Sequence, residues 1–268
     1  MSGGGNDFII LEDVALKKLE LKKLASELCK RGHSIGADGL IYIAPSKKAD
    51  FFYWHFNSDG SVANICGNGS RCVALYAYKR KIANKRMTFE TPAGIFSAEV
   101  SSNLKTVKVD FIPAKNLRLN IPINIDENFD LVHFIDVGVP HTIVFVEKPN
   151  EIDVNKTGKK ICFHPEFHPQ GTNVNFIKVK DRKNIKIRTY ERGVESETLA
   201  CGTGSISSAI VSGALNKITP PVSLHTSGGS ILVVDFQLQY DSNSNPCGAN
   251  KITLTGEAKF VFEGTIKI

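Results

Sequence analysis

The sequence predicts an α+β fold of two pseudo-symmetric lobes made by internal duplication, each a β-sheet wrapped around a central helix. Three observations predict it. Cys66-Gly67-Asn68-Gly69-Ser70 returns as Cys201-Gly202-Thr203-Gly204-Ser205, at an offset of 135 residues in a chain of 268. On the same offset, Thr91-Pro92-Ala93-Gly94 ahead of the strand-like IFSAEV matches Thr226-Ser227-Gly228-Gly229 ahead of SILVVDF. Both halves also share an element order: a β-rich run, a polar turn, the Cys-Gly motif, a helix, then strands.

In chain order, Leu16, Leu19, Leu24 and Leu28 form the apolar stripe of a helix over Leu16–Lys30, stopped by Gly32. Strands follow over Gly39–Ile43 and Phe51–Phe56. A helix over Arg71–Lys81 carries Val73, Ala74, Ala77 and Tyr78 on one face. A strand over Thr106–Phe111 leads to a crossover at Pro113–Ile125, and strands resume at Thr142–Glu147, Asn175–Val179 and Ile185–Tyr190. The second central helix, Ser205–Lys217, presents Ile206, Ala209, Ile210 and Ala214, before strands at Ile231–Phe236 and a strand pair in Lys251–Ile268. The lobes are expected at 1–114, with the C-terminal strand 258–268 added, and at 115–257.

Hydrophobic residues make up 42% and charged residues 22% of the chain, which suits an ordinary globular protein and disfavours disorder. No apolar run reaches the ~18 residues of a spanning helix, and Met1–Asn6 has no secretory character, so the chain reads as cytoplasmic with no membrane partner. The net charge of +6 comes from scattered lysines without aromatic interleaving, which argues against nucleic acid. The six cysteines are too sparse for a disulfide scaffold and read as free thiols.

A cysteine followed by Gly-x-Gly at a helix start has a chemical meaning. Glycines admit a ligand close to the backbone, and the first-turn N–H groups bind an anion there. The same positive end favours a thiolate. Two such cradles would hold one carboxylate with a thiol on each side of the adjacent carbon, an arrangement suited to moving a proton from one face to the other. Fixed N–H donors aimed at the developing charge are worth ~3–4 kcal/mol each, so no pyridoxal phosphate or other cofactor is required.

At these residues the sequence resembles the diaminopimelate epimerase family, over nearly the whole chain. The resemblance is carried by Gly5-Asn6-Asp7-Phe8, Gly36-Ala37-Asp38, Phe56-Asn57-Ser58-Asp59-Gly60, Cys66 to Cys72, Pro140-His141, Asn173-Val174-Asn175-Phe176, and Tyr190-Glu191-Arg192-Gly193 through Ala200-Cys201-Gly202-Thr203-Gly204. It implies a cofactor-independent isomerase of lysine biosynthesis, converting LL- to meso-diaminopimelate in a cleft between the lobes. Cys66 and Cys201 would be the two catalytic groups, with His141 and Glu191 tuning them. Asn6, Asn57, Asn173, Glu191 and Arg192 would grip the distal end of the substrate. Gly67, Asn68, Gly202 and Thr203 would hold the reacting carboxylate. Homodimerisation is a further family-level expectation.

This chain departs from the family pattern at four places. Val139 replaces the usual Asn before Pro-His, and Gly39 replaces a frequent Gln; both changes are expected to remove ligand hydrogen bonds. The Glu191–Cys201 stretch is one residue longer than the common form. A strand that members carry ahead of Gly-Asn-Asp-Phe is expected to be missing. A racemase of another amino acid and a thiol-redox protein are the alternative functions. Cys162, His164, Glu166 and His168 lie close in sequence, but Pro165 and Pro169 break any helix there, so no metal site is expected.

Overall fold

Alternating buried residues such as Phe51, Tyr53 and His55 line one side of their strand, and the sheets wrap helices made largely of small side chains. The computed structural model describes residues 1–12, 17–125 and 131–266. The chain divides into two units, Met1–Asp110 with Thr255–Ile268, and Phe111–Leu254.

The first unit contains β1 (Ser2–Gly3), β2 (Asn6–Leu11), α1 (Lys18–Leu28), β3 (Gly39–Ala44), β4 (Phe51–Asn57), β5 (Val62–Ala63), α2 (Gly67–Lys79), β6 (Arg86–Thr91), β7 (Gly94–Val100) and β8 (Thr106–Phe111). The second contains β9 (Lys115–Pro122), β10 (Leu131–Asp136), β11 (Pro140–Phe145), α3 (Val154–Cys162), β12 (Asn173–Asp181), β13 (Asn184–Glu191), β14 (Ser196–Thr198), α4 (Gly202–Ala214), β15 (Val222–His225) and β16 (Ile231–Tyr240). A last strand, β17 (Pro246–Glu257), starts in the second unit and ends in the first.

The duplication extends to strand pairing. In the first unit β2 runs parallel to β3, β3 antiparallel to β4, and β4 pairs antiparallel with β5 and parallel with β6, which turns into β7. In the second, β11, β12, β13, β14, β15 and β16 repeat each of these relations. The matching Thr91–Gly94 and Thr226–Gly229 segments are the two equivalent hairpin turns, where Gly94 and Gly229 take the positive φ that such turns demand.

The helices are buried more completely than one apolar face would require. Residues 68–77 of α2 and 204–213 of α4 are buried on all sides, and Ile206, Ile210 and Val211 each contribute about 1.5–3 kcal/mol of burial. Small residues make this possible. A side chain at Gly213, for example, would begin 2.7 Å from the Phe236 ring. Among the described residues no helix is long and apolar enough to cross a membrane.

Several expectations need correction. Both central helices begin earlier than periodicity places them, at Gly67 and Gly202, because the Gly-x-Gly motif forms the first turn despite the ~1 kcal/mol penalty of each glycine. In α1 the buried stripe is Leu21, Leu24, Ala25 and Leu28; Leu19 is 78% exposed, and Leu16 lies outside the described residues. The 113–125 crossover contains β9, an edge of alternating burial paired with β10. Among the described residues the C-terminal strand pair is the single strand β17, followed by an isolated bridge from Ser2 to Lys259. Helix α3 escapes sequence reading although Val154, Gly158, Ile161 and Cys162 fall on one buried face, because its Asn, Thr and Gly are weak helix formers. Gly158 is there for contact, since a Cβ would meet Tyr190 at 2.5 Å.

Three buried histidines make this fold sensitive to acid. Burial lowers His55 to about 4 and His141 to about 3; burial and then Lys217 lower His133 to about 4. An unfolded chain binds a proton on each ring near pH 6.5, whereas the folded chain does not. Stability therefore rises with pH through this window and is lost as pH falls from about 6.5 towards 3–4. Urea denaturation at pH 6.5 and pH 5 should show a loss of about 2 kcal/mol for each of His55 and His141. His55→Leu should remove its own share of that pH dependence.

Candidate active site

In the first unit the site is built on the start of α2. Cys66 is the N-cap, with extended backbone, and its Sγ accepts from the Gly69 N–H at 3.4 Å. A buried polar chain runs away from this turn. Arg71 is completely buried; its Nη2 donates to Asn68 Oδ1 at 2.6 Å and its Nη1 to the Gly67 carbonyl at 3.1 Å. Asn68 Nδ2 then donates to Asn6 Oδ1 at 2.7 Å, and Asn6 Nδ2 donates to Asp38 at 2.9 Å. Asn68 Oδ1 is thus taken by Arg71 and one N–H of its amide by Asn6, while the first-turn backbone N–H groups of α2 are suited to an anion. Gly4, at φ +62°, passes so close that a Cβ would lie 2.6 Å from Asn68 Oδ1. Asn57 ends β4 exposed, donating one N–H to Ser61 Oγ at 2.9 Å.

The second unit repeats the design on α4. Cys201 is the N-cap, its Sγ accepts from the Gly204 N–H at 3.4 Å, and Thr203 Oγ1 lies at the same distance from the sulfur. His141 and Asn173 sit opposite each other at the starts of parallel β11 and β12, with Asn173 Nδ2 3.4 Å from His141 Nε2. Asn173 Oδ1 accepts from the Arg192 backbone N–H at 2.9 Å. The Arg192 guanidinium itself is turned to the carbonyls of Gln170 and Gly171. Glu191, at the end of β13, accepts from Thr198 Oγ1 at 3.1 Å and acts on the Cys201 thiol. Within the 191–201 stretch, Glu195 adopts φ 60° and accepts from Tyr190 Oη at 2.8 Å.

The helix terminus does not decide the charge of Cys201. Burial and the neighbouring Glu191 carboxylate push this thiol well above its ordinary range, and the opposing hydrogen bonds from Thr203 and the Gly204 N–H are weaker. Cys201 therefore rests as a protonated thiol, against the expectation that its helix position would favour a thiolate.

At Gly39 the missing side chain has a physical counterpart. A Cβ there would lie 2.8 Å from His55 Nε2 and 2.8 Å from the Phe56 carbonyl, so the buried His55 ring occupies the space beside Asn57. Val139 packs against the hydrophobic core around α4. The residues of the Cys162–His168 stretch are engaged separately: His164 Nδ1 accepts from the Glu166 N–H, Glu166 pairs with Arg118 at 2.7 Å, and His168 meets the Phe163 carbonyl. Sequence reasoning missed Arg71 and Asn175. The signals were present, as an arginine inside an apolar helix and as a second asparagine at strand spacing from Asn173.

The α4 turn depends on Gly204, where a Cβ would lie 2.3 Å from Asn175 Oδ1 and 3.2 Å from Cys201 Cβ. Gly204→Ala should destabilise the protein by about 1–3 kcal/mol. Gly264→Ala, which meets nothing within 4 Å, should leave the melting temperature unchanged in the same thermal scan.

The sequence pattern of the diaminopimelate epimerase family matches residues 1–116 and 133–260. The chain is 42% identical to the diaminopimelate epimerase of Aquifex aeolicus, over 99% of this chain and 96% of that protein. It is 41% identical to that of Caldanaerobacter subterraneus, over 100% and 98%. Among solved structures, a phenazine biosynthesis protein of the PhzF family from Bacillus anthracis superposes with a TM-score of 0.70 at 16% identity, covering 100% of this chain and 95% of that one. A probable proline racemase from Agrobacterium radiobacter K84 superposes with a TM-score of 0.70 at 17% identity, covering 96% and 88%. These two likenesses concern the fold, whereas sequence identity along the full chain carries the family. A duplicated α+β scaffold with a Cys-Gly-x-Gly helix start in each unit, and relatives matched end to end, together place this chain in the diaminopimelate epimerase family of isomerases.

Proposed function

We propose that this protein interconverts LL- and meso-diaminopimelate without a cofactor, using Cys66 and Cys201 as its two proton-transfer groups, and so serves lysine biosynthesis in the cytoplasm. The observation that carries the reading is the repeated helix start, where each unit presents an N-capping cysteine whose sulfur accepts from the N–H three residues on. Such a turn places a sulfur beside backbone donors suited to a carboxylate.

The upward push on the Cys201 thiol supports one direction of transfer. Cys66, as thiolate, takes the proton from Cα and becomes a thiol, while the electron pair left on carbon is delocalised into the substrate carboxylate. The Cys201 thiol then delivers its proton to the opposite face and becomes a thiolate. First-turn N–H groups at Gly67, Asn68, Gly202 and Thr203 oppose the charge that builds on the carboxylate, which is where fixed donors are most effective. Asn6, Asn57, Asn173, Glu191 and Arg192 serve the distal amino-acid end. The structure bears on how Arg192 would do so, since its Nη1 already meets the carbonyls of Gln170 and Gly171.

A second reading, a racemase for a different amino acid on the same scaffold, draws on the His55 ring standing over Gly39 beside Asn57.

The test is α-proton exchange in heavy water with reduced protein, using LL-diaminopimelate against glutamate and other amino acids. Deuterium incorporation with inversion, confined to diaminopimelate, is expected. Exchange with another amino acid would favour the second reading. Cys66→Ala and Cys201→Ala should each lower turnover by at least about 10³-fold while retaining the far-ultraviolet circular dichroism spectrum. Turnover retained in either variant would sink the two-thiol mechanism.

A further inference from the structure

Asn175 lies two residues beyond Asn173 on β12, is fully buried, and has its side chain beneath the first turn of α4. Its amide orientation follows from its neighbours. The Thr142 carbonyl lies 3.2 Å from Nδ2 and can only accept, so the amide nitrogen must face it; Oδ1 accepts from Thr189 Oγ1 at 3.0 Å. The second hydrogen of Nδ2 points to His141 Nδ1 at 3.1 Å. Both ring nitrogens face amide donors, and Nδ1 makes the shorter contact, 3.1 Å against 3.4 Å at Nε2, which favours Nδ1 as the acceptor.

The opposite side of the ring is constrained in the same way. Asn173 Oδ1 accepts from the Arg192 backbone N–H, which can only donate, so Asn173 Nδ2 is the atom that faces His141 Nε2 at 3.4 Å. A neutral imidazole whose Nδ1 accepts carries its proton on Nε2, leaving two donors side by side. Donors 3.4 Å apart can both reach one acceptor at ordinary hydrogen-bond length.

We infer that Asn175 is a positioning residue that holds His141 as the neutral, Nε2-protonated tautomer, so that His141 and Asn173 together donate to a single anionic acceptor and His141 does not act as a base. The inference deepens the reaction proposed above and rests on it only for the identity of that acceptor. The surroundings agree with a neutral ring. Burial first, and then the Arg192 charge, lower the His141 pKa to about 3. The other titratable groups of this part of the site are Glu191 at the end of β13 and the Cys201 thiol at the start of α4. The close approach of Asn175 also explains why position 204 is glycine.

The test is a long-range proton–nitrogen correlation spectrum of the full-length protein carrying nitrogen-15 histidine, with His141 assigned by its loss in His141→Asn. A protonated Nε2 and a bare Nδ1, unchanged between pH 8 and pH 5, are expected. An Nδ1-protonated ring, or one that titrates in that range, would overturn the inference. In Asn175→Ala the ring loses its fixed donor, and both tautomers should appear. With LL-diaminopimelate, kcat should then fall by about 10–100-fold with KM changed much less. A wild-type tautomer pattern persisting in Asn175→Ala would also refute the assignment. The wild-type spectrum needs no turnover, so it reads the tautomer even if diaminopimelate proves not to be the substrate.

Discussion

The structure depends on one contact made twice: a cysteine sulfur receiving the N–H of the third residue of the helix it caps. For Cys66 the donor is Gly69, and for Cys201 it is Gly204. The contact fixes where α2 and α4 begin, and with them the direction of the unpaired N–H groups. It also requires glycine. At 204 any side chain would collide with the Asn175 amide, and at 69 a Cβ would press on Ile41 at 3.1 Å. The sheets then close around helices whose small residues leave no exposed face along most of their length.

Each capped cysteine is backed by a buried polar network. Behind Cys66, the uncharged acceptors of Asn68, Gly67 and Glu257 surround the Arg71 guanidinium, and the chain continues through Asn6 to Asp38. Behind Cys201, Thr189, Asn175 and His141 are joined in one path, and Asn173, held by the Arg192 backbone, stands beside the ring. Buried polar groups are tolerable only when partnered, so each network also fixes the rotamers of the side chains that face the ligand. The two solutions differ in chemistry, although the backbones around them are duplicated. One carries a buried cation and the other a buried neutral ring.

Burial and local charge compete at the thiols. The Gly204 N–H and Thr203 hydroxyl stabilise a Cys201 thiolate, but removal from water and the Glu191 carboxylate act the other way and prevail. A helix N-terminus therefore gives this sulfur a donor without ionising it. In the proposed reaction that difference separates the group that gives a proton from the group that takes one.

The amino-acid sequence by itself determined the duplication, the two Cys-Gly-x-Gly motifs and strands such as the aromatic run Phe51–Phe56 and the alternating Thr106–Phe111, because each is written in residues close together along the chain. The strands it predicted also placed Asn57, His141, Asn173 and Glu191 near strand ends. It did not reveal helix α3, strand β9 or the early helix starts, where packing partners override weak local preference. Only the tertiary structure decided that Arg71 reaches Asn68 and the Glu257 carbonyl, that His55 covers Gly39, and that Asn175 sits between Thr189 and His141. Those contacts join residues far apart in sequence, and hydrogen-bond direction and burial are properties of the packed neighbourhood, which no local run of residues encodes.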